Sequence, residues 1–182
     1  IVFVFDESAS VNPTELEEAH QFCISISQNF KVGAADAELY TQIGAMSYAY
    51  NAVRWFDLGD YETNLDVEKH INAMPTSHTK RVAVNKAKGK DSMCCHGTAM
   101  LEATRFKWRP AAERVIVYIM DGISSAFETP PAGCAEQDNR VENLQRMKDS
   151  VDRVVPVAVV TGSNPKVPPE FLMSLSKGMP AW

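Results

Sequence analysis

Three segments of this chain are continuously apolar and of strand length: IVFVF at residues 1–5, VIVYIM within ERVIVYIMDG at 113–122, and VVPVAVV within RVVPVAVVTG at 153–162. Such runs predict strands buried on both faces. Between them the apolar spacing changes to steps of three and four. Leu16, Ala19, Cys23, Ile26 and Phe30 form the stripe of a helix lying on a sheet. Asn12 can cap that helix, with Pro13 at its first position and Glu15 three residues beyond the cap. Residues 38–48 and 52–58 read as strands around a turn at 49–51, a link so short that the pair must be antiparallel, with one strand at a sheet edge.

Further helices are expected on Leu65, Val67, Ile71 and Met74; from Thr98, with Leu101, Thr104 and Trp108 inward; on Val141, Leu144, Met147 and Val151; and from Pro169 through Leu175. Segments 75–97 and 124–139 are polar or rich in Pro and Ala and read as loops. Strands alternating with helices predict an α/β fold: a doubly wound, mostly parallel central sheet with one antiparallel edge strand and helices on both faces.

A chain of 182 residues suits a single domain, 1–182, and its opening on Ile1 leads us to expect an excised part of a larger protein. No apolar run approaches the roughly 20 residues of a membrane span, so membrane insertion by this domain is not expected. The net charge of −5 argues against nucleic acid as the main partner, because phosphate binding wants a basic face.

The chemistry lies where the apolar runs stop. In an open parallel sheet, ligands bind beyond the carboxyl ends of the strands, where the strand order reverses. The first run ends in FVFDESAS, which presents Asp6, Ser8 and Ser10 at alternate positions; HGTAM brings Thr98 to a helix start; YIMDGIS brings Asp121 to another strand end. Two carboxylates and three hydroxyls are hard oxygen donors. They suit Mg²⁺ or Mn²⁺ and do not suit zinc, which prefers nitrogen and sulfur. Each motif alone could be a turn or a cap; together, in this order, they point to a metal.

Asp-x-Ser-x-Ser after the first strand, Gly-Thr at a helix start and Asp-Gly after a later strand resemble the metal-ion-dependent adhesion site of von Willebrand factor type A domains and integrin inserted domains. IGAMSYAYNAVRWFDL is similar to that family's second and third strands. The resemblance implies direct metal ligation by Ser8 and Ser10, by Thr98 when ligand is engaged, and contacts through water from Asp6 and Asp121. It also implies a protein partner, in the matrix or at a cell surface, that supplies Glu or Asp to the metal. Family members often have Gly at the positions of Glu7 and His96, and often continue past the last helix with a further strand and a long helix. Glu7 and His96 are therefore expected at the partner rim, together with Lys86, Lys88 and Lys90 of the basic loop before Thr98.

The four cysteines are Cys23, Cys94, Cys95 and Cys134. Cys94-Cys95-His96 with Cys134 lacks the C-x₂-C form of common zinc sites, and a bridge from Cys94 or Cys95 to Cys134 is the stronger expectation. Cys23 lies on an apolar stripe and reads as a buried free thiol. Ser8 lacks a G-x-S-x-G setting and no histidine is motif-linked to it, so an enzyme is not expected. An extracellular adhesion or matrix module is the leading expectation; an intracellular assembly module of the same fold is the alternative. Oxidised cysteines would favour the first.

Overall fold

The computed structural model describes residues 1–33, 39–76, 94–121, 134, 139–159 and 169–178. The elements run β1 (Val2–Asp6), α1 (Pro13–Ser27), β2 (Gly44–Tyr48), β3 (Ala52–Phe56), α2 (Asn64–Ala73), α3 (His96–Ala103), β4 (Val115–Met120), α4 (Arg140–Ser150), β5 (Arg153–Ala158) and α5 (Pro169–Leu175). They form a five-stranded sheet in the order β3-β2-β1-β4-β5. β1 pairs in parallel with both β2 and β4, β4 pairs in parallel with β5, and β3 runs antiparallel to β2 at the edge.

Each central strand is buried on both faces, and its side chains alternate between two cores. Val2 and Val4 of β1, Met46 and Tyr48 of β2, and Ile116, Tyr118 and Met120 of β4 pack with Met100 of α3, Met147 of α4 and Leu175 of α5. Phe3, Phe5, Ala45, Val117 and Ile119 point to the opposite face, where Leu16 and Cys23 of α1 and Val67 and Ile71 of α2 cover them. The period of two along a strand thus sorts residues 2 to 5 between layers, and Asp6 falls on the side of Val4, towards α3.

Several inward faces differ from the sequence expectation. Leu65 is 72% exposed and Val141 is 56% exposed, while Arg140 and Asn143 are buried. α1 ends at Ser27, before Phe30, which lies at the surface. α3 begins two residues before Thr98, and buries Ala99, Met100 and Ala103; Thr104 caps its end, and Trp108 only partly packs on the core. No helix among the described residues is long and apolar enough to cross a membrane.

Candidate metal centre

β1 lies at the middle of the sheet. The chain leaves it towards β2 and β3 on one side and later returns through β4 and β5 on the other. The carboxyl ends of β1 and β4 therefore flank the point where the winding reverses, the usual crevice of such sheets. Asp6 closes β1 and Asp121 directly follows β4.

The turn after β1 is set by its own polar groups. The Asp6 carboxylate accepts a hydrogen bond from the Ser8 backbone N–H at 2.9 Å, and the Val11 N–H donates to the Ser8 carbonyl at 3.0 Å. Val11 is buried and anchors the turn. The chain then enters α1 through a capping box: the Glu15 N–H donates to Asn12 Oδ1 at 3.0 Å, and the Asn12 N–H donates to Glu15 Oε2 at 2.8 Å. Between these two fixed points, Ser8 Oγ and Ser10 Oγ lie 2.9 Å apart, and the Ser10 hydroxyl donates to Asp121 Oδ1 at 3.2 Å. The fold thus joins residues 111 positions apart in sequence.

Thr98 sits in the first turn of α3, two residues beyond His96. The segment leading into α3 is held from three directions. The Cys95 N–H donates to the Ala49 carbonyl beyond β2 at 2.9 Å. From α4, Arg140 donates to the Cys94 carbonyl at 2.9 Å, and Asn143 Nδ2 donates to the Gly97 carbonyl at 3.0 Å. A disulfide joins Cys95 to Cys134, and Cys23 and Cys94 are buried free thiols. Neither Arg140 nor Asn143 was singled out from sequence. Their signal was a polar residue in phase with the apolar stripe of α4.

Asp6 and Asp121 are buried, and so is Ser8, while Ser10 is exposed and Thr98 half-buried. Burial, then the negative charge of Asp121, raises the Asp6 carboxyl to about 7; hydrogen bonds from Ser8 and Cys94 act the other way. Behind Asp6 lies a layer of aromatic and sulfur groups. Tyr48 OH donates to Asp6 Oδ2 at 3.4 Å and lies 3.0 Å from His96 Nδ1, which is 3.2 Å from the Tyr118 hydroxyl. Cys94 Sγ lies 3.6 Å from Asp6 Oδ2. Burial, then the Arg140 charge, lowers His96 to about 3, so the ring is neutral.

Two expected rim residues are not at a rim. Glu7 and His96 are both buried; the Glu7 N–H continues the β1–β2 ladder to the Tyr48 carbonyl at 2.7 Å, and the His96 ring packs against Tyr48 and Tyr118. Lys86, Lys88 and Lys90 lie outside the described residues.

The oxygen set fits a small divalent cation. In an octahedron with oxygens at about 2.0–2.1 Å from Mg²⁺, neighbouring oxygens lie about 2.9 Å apart. The Ser8–Ser10 hydroxyl spacing of 2.9 Å stands at that edge length, and Ser10 reaches Asp121 by a hydrogen bond of 3.2 Å.

The family model of the von Willebrand factor type A domain matches residues 1–178. The chain belongs to that family. Vitrin of Bos taurus is 31% identical over 124 residues, 68% of this type A domain and 17% of vitrin. The chain thus spans only a small part of that relative. Among solved structures, proximal thread matrix protein 1 of the mussel byssus, with a zinc-occupied adhesion-site motif, has a TM-score of 0.70 at 16% identity, covering 96% of this chain and 40% of that one. The manganese-loaded TRAP protein of Plasmodium vivax has a TM-score of 0.62 at 10% identity, covering 90% of this chain and 57% of that one. At these identities the two solved structures bear on the fold of this type A domain alone.

Proposed function

We propose that this type A domain is a divalent-cation-dependent protein-binding module of the adhesion or matrix kind, and not an enzyme. Ser8, Ser10 and Thr98 would hold Mg²⁺, or Mn²⁺, directly, with Asp6 and Asp121 acting mainly through water. When bound, the ion supplies an underneutralised charge that attracts an acidic side chain of a partner. The chain's own residues set the terms of that encounter. The turn from Asp6 to Val11 and the first turn of α3 fix the hydroxyls, and the two carboxylates lie buried beside them.

The observation that carries the reading is the Ser8–Ser10 hydroxyl pair at the spacing of an octahedral edge, hydrogen-bonded onward to Asp121. The disulfide favours an extracellular setting over intracellular assembly.

Calorimetric titration tests the metal. Mg²⁺ and Mn²⁺ should bind once per wild-type chain and show no detectable binding to Asp121→Ala, with Ser10→Ala weakened at least tenfold. Undiminished affinity in Asp121→Ala overturns the assignment. Capture of proteins from a matrix extract should require Mg²⁺ and be reversed by chelator; capture indifferent to both overturns the partner reading.

A further inference from the structure

Asp6 presents its two oxygens to different chemistry. Oδ1 accepts the Ser8 N–H on the loop side, while Oδ2 faces the Tyr48 hydroxyl and the Cys94 sulfur. We propose that Asp6, Cys94 and His96 form a second cation site, for a borderline divalent ion of the Zn²⁺ class, behind the oxygen-lined site and sharing Asp6 with it.

One donor atom from each of the three residues lies within 4.8 Å of the others. Asp6 is 3% exposed, Cys94 5% and His96 1%. A thiolate, an imidazole and a carboxylate are the donor types zinc selects, and a set that Mg²⁺ does not. The spacing agrees. Tetrahedral zinc, with sulfur at about 2.3 Å and nitrogen or oxygen at about 2.0–2.2 Å, places neighbouring donors about 3.3–3.8 Å apart. Cys94 Sγ and Asp6 Oδ2 already stand at 3.6 Å. Tyr48 OH, 3.4 Å from that oxygen and 3.0 Å from His96 Nδ1, lies within reach of the fourth position.

His96 Nδ1 is the ring nitrogen that shares the Tyr48 hydroxyl with Asp6, and so the nitrogen placed to bind on this side. The disulfide also matters, because pairing Cys95 with Cys134 leaves Cys94 as the sulfur on this side of the sheet that is free to bind metal. Loading forms a metal–sulfur bond, breaks the Cys94 S–H bond and releases that proton to solvent, with no electron transfer. Since Asp6 cannot serve both sites fully, zinc at the rear should weaken Mg²⁺ at the front. That antagonism rests on the function proposed above; the rear site itself does not.

Cobalt(II) is the probe, used on the full chain with its disulfide intact. Wild type should give a thiolate-to-cobalt charge-transfer band and the intense visible absorption of tetrahedral cobalt. Cys94→Ser should lose the band; Cys23→Ser and Asp121→Ala should keep it. A band that persists in Cys94→Ser, or none at saturating cobalt in wild type, overturns the proposal. Should Cys94→Ser fail to fold, X-ray absorption on zinc-loaded Cys23→Ser decides: a sulfur neighbour at about 2.3 Å supports the site, and an all-oxygen shell overturns it. Unchanged Mg²⁺ affinity in Asp121→Ala would sink the front site alone and leave the cobalt result standing.

Discussion

Asp6 is a residue whose charge the fold makes costly. Its folded pKa of about 7 stands above the ordinary 3.8, from burial first and the Asp121 charge second. The stabilising contribution of this shift is therefore fully present below pH about 4 and lost as pH rises through about 7. In chelator at pH 8, Asp6→Asn should stabilise the protein by on the order of 1–3 kcal/mol in urea unfolding, while abolishing Mg²⁺ binding. Asp121 is buried beside Asp6. His20 gives a contrasting case. It is buried edge-on to Phe5, and burial lowers it to about 4 from 6.5. Here the neutral form is favoured, so stability is fully present above pH about 6.5 and falls as pH drops towards 4. His20→Leu should remove about 2–3 kcal/mol of that fall, read as a shallower stability slope across a pH series of urea melts.

Among the elements, α4 explains both what sequence reading found and what it missed. At about 100° per residue, Arg140 and Met147 share a face, and Val141 is turned a full step away. Apolarity favoured Val141; phase favoured Arg140, and the guanidinium is kept inside by its bond to the Cys94 carbonyl. Leu65 of α2 fails for the same reason, since it lies about 200° from the buried Val67. Because Arg140 and Asn143 hold the approach to α3, Asn143→Ala should reduce Mg²⁺ affinity about tenfold by calorimetry without removing any ligand. It should also cost about 1–3 kcal/mol of stability, from leaving the buried Gly97 carbonyl short of a donor.

For the molecule as a whole, the Cys95–Cys134 bridge closes a long loop, with a sequence separation of 39. Chain-entropy reasoning assigns such a crosslink about 3–4 kcal/mol. Cys134→Ser should lower the urea midpoint accordingly, and should weaken metal binding too, because Cys95 directly precedes α3.

Sequence alone determined the layered sheet, since strands buried on both faces are apolar throughout and the crossovers that join parallel neighbours are usually helices. It also determined which segments deliver oxygen donors, because Asp6, Ser8 and Ser10 interrupt an apolar run at the one place where a strand can face a crevice. Tertiary structure decided the rest. That Ser10 meets Asp121, that Cys95 and not Cys94 takes Cys134, and that Cys94 and His96 close on the back of Asp6 all depend on the β1–β4 pairing and on α3 docking beneath α4. These are contacts between residues far apart in the chain, and no local spacing encodes them. Burial of the two carboxylates belongs to the same class: a strand end reads as surface until the neighbouring strand ends and loops close around it.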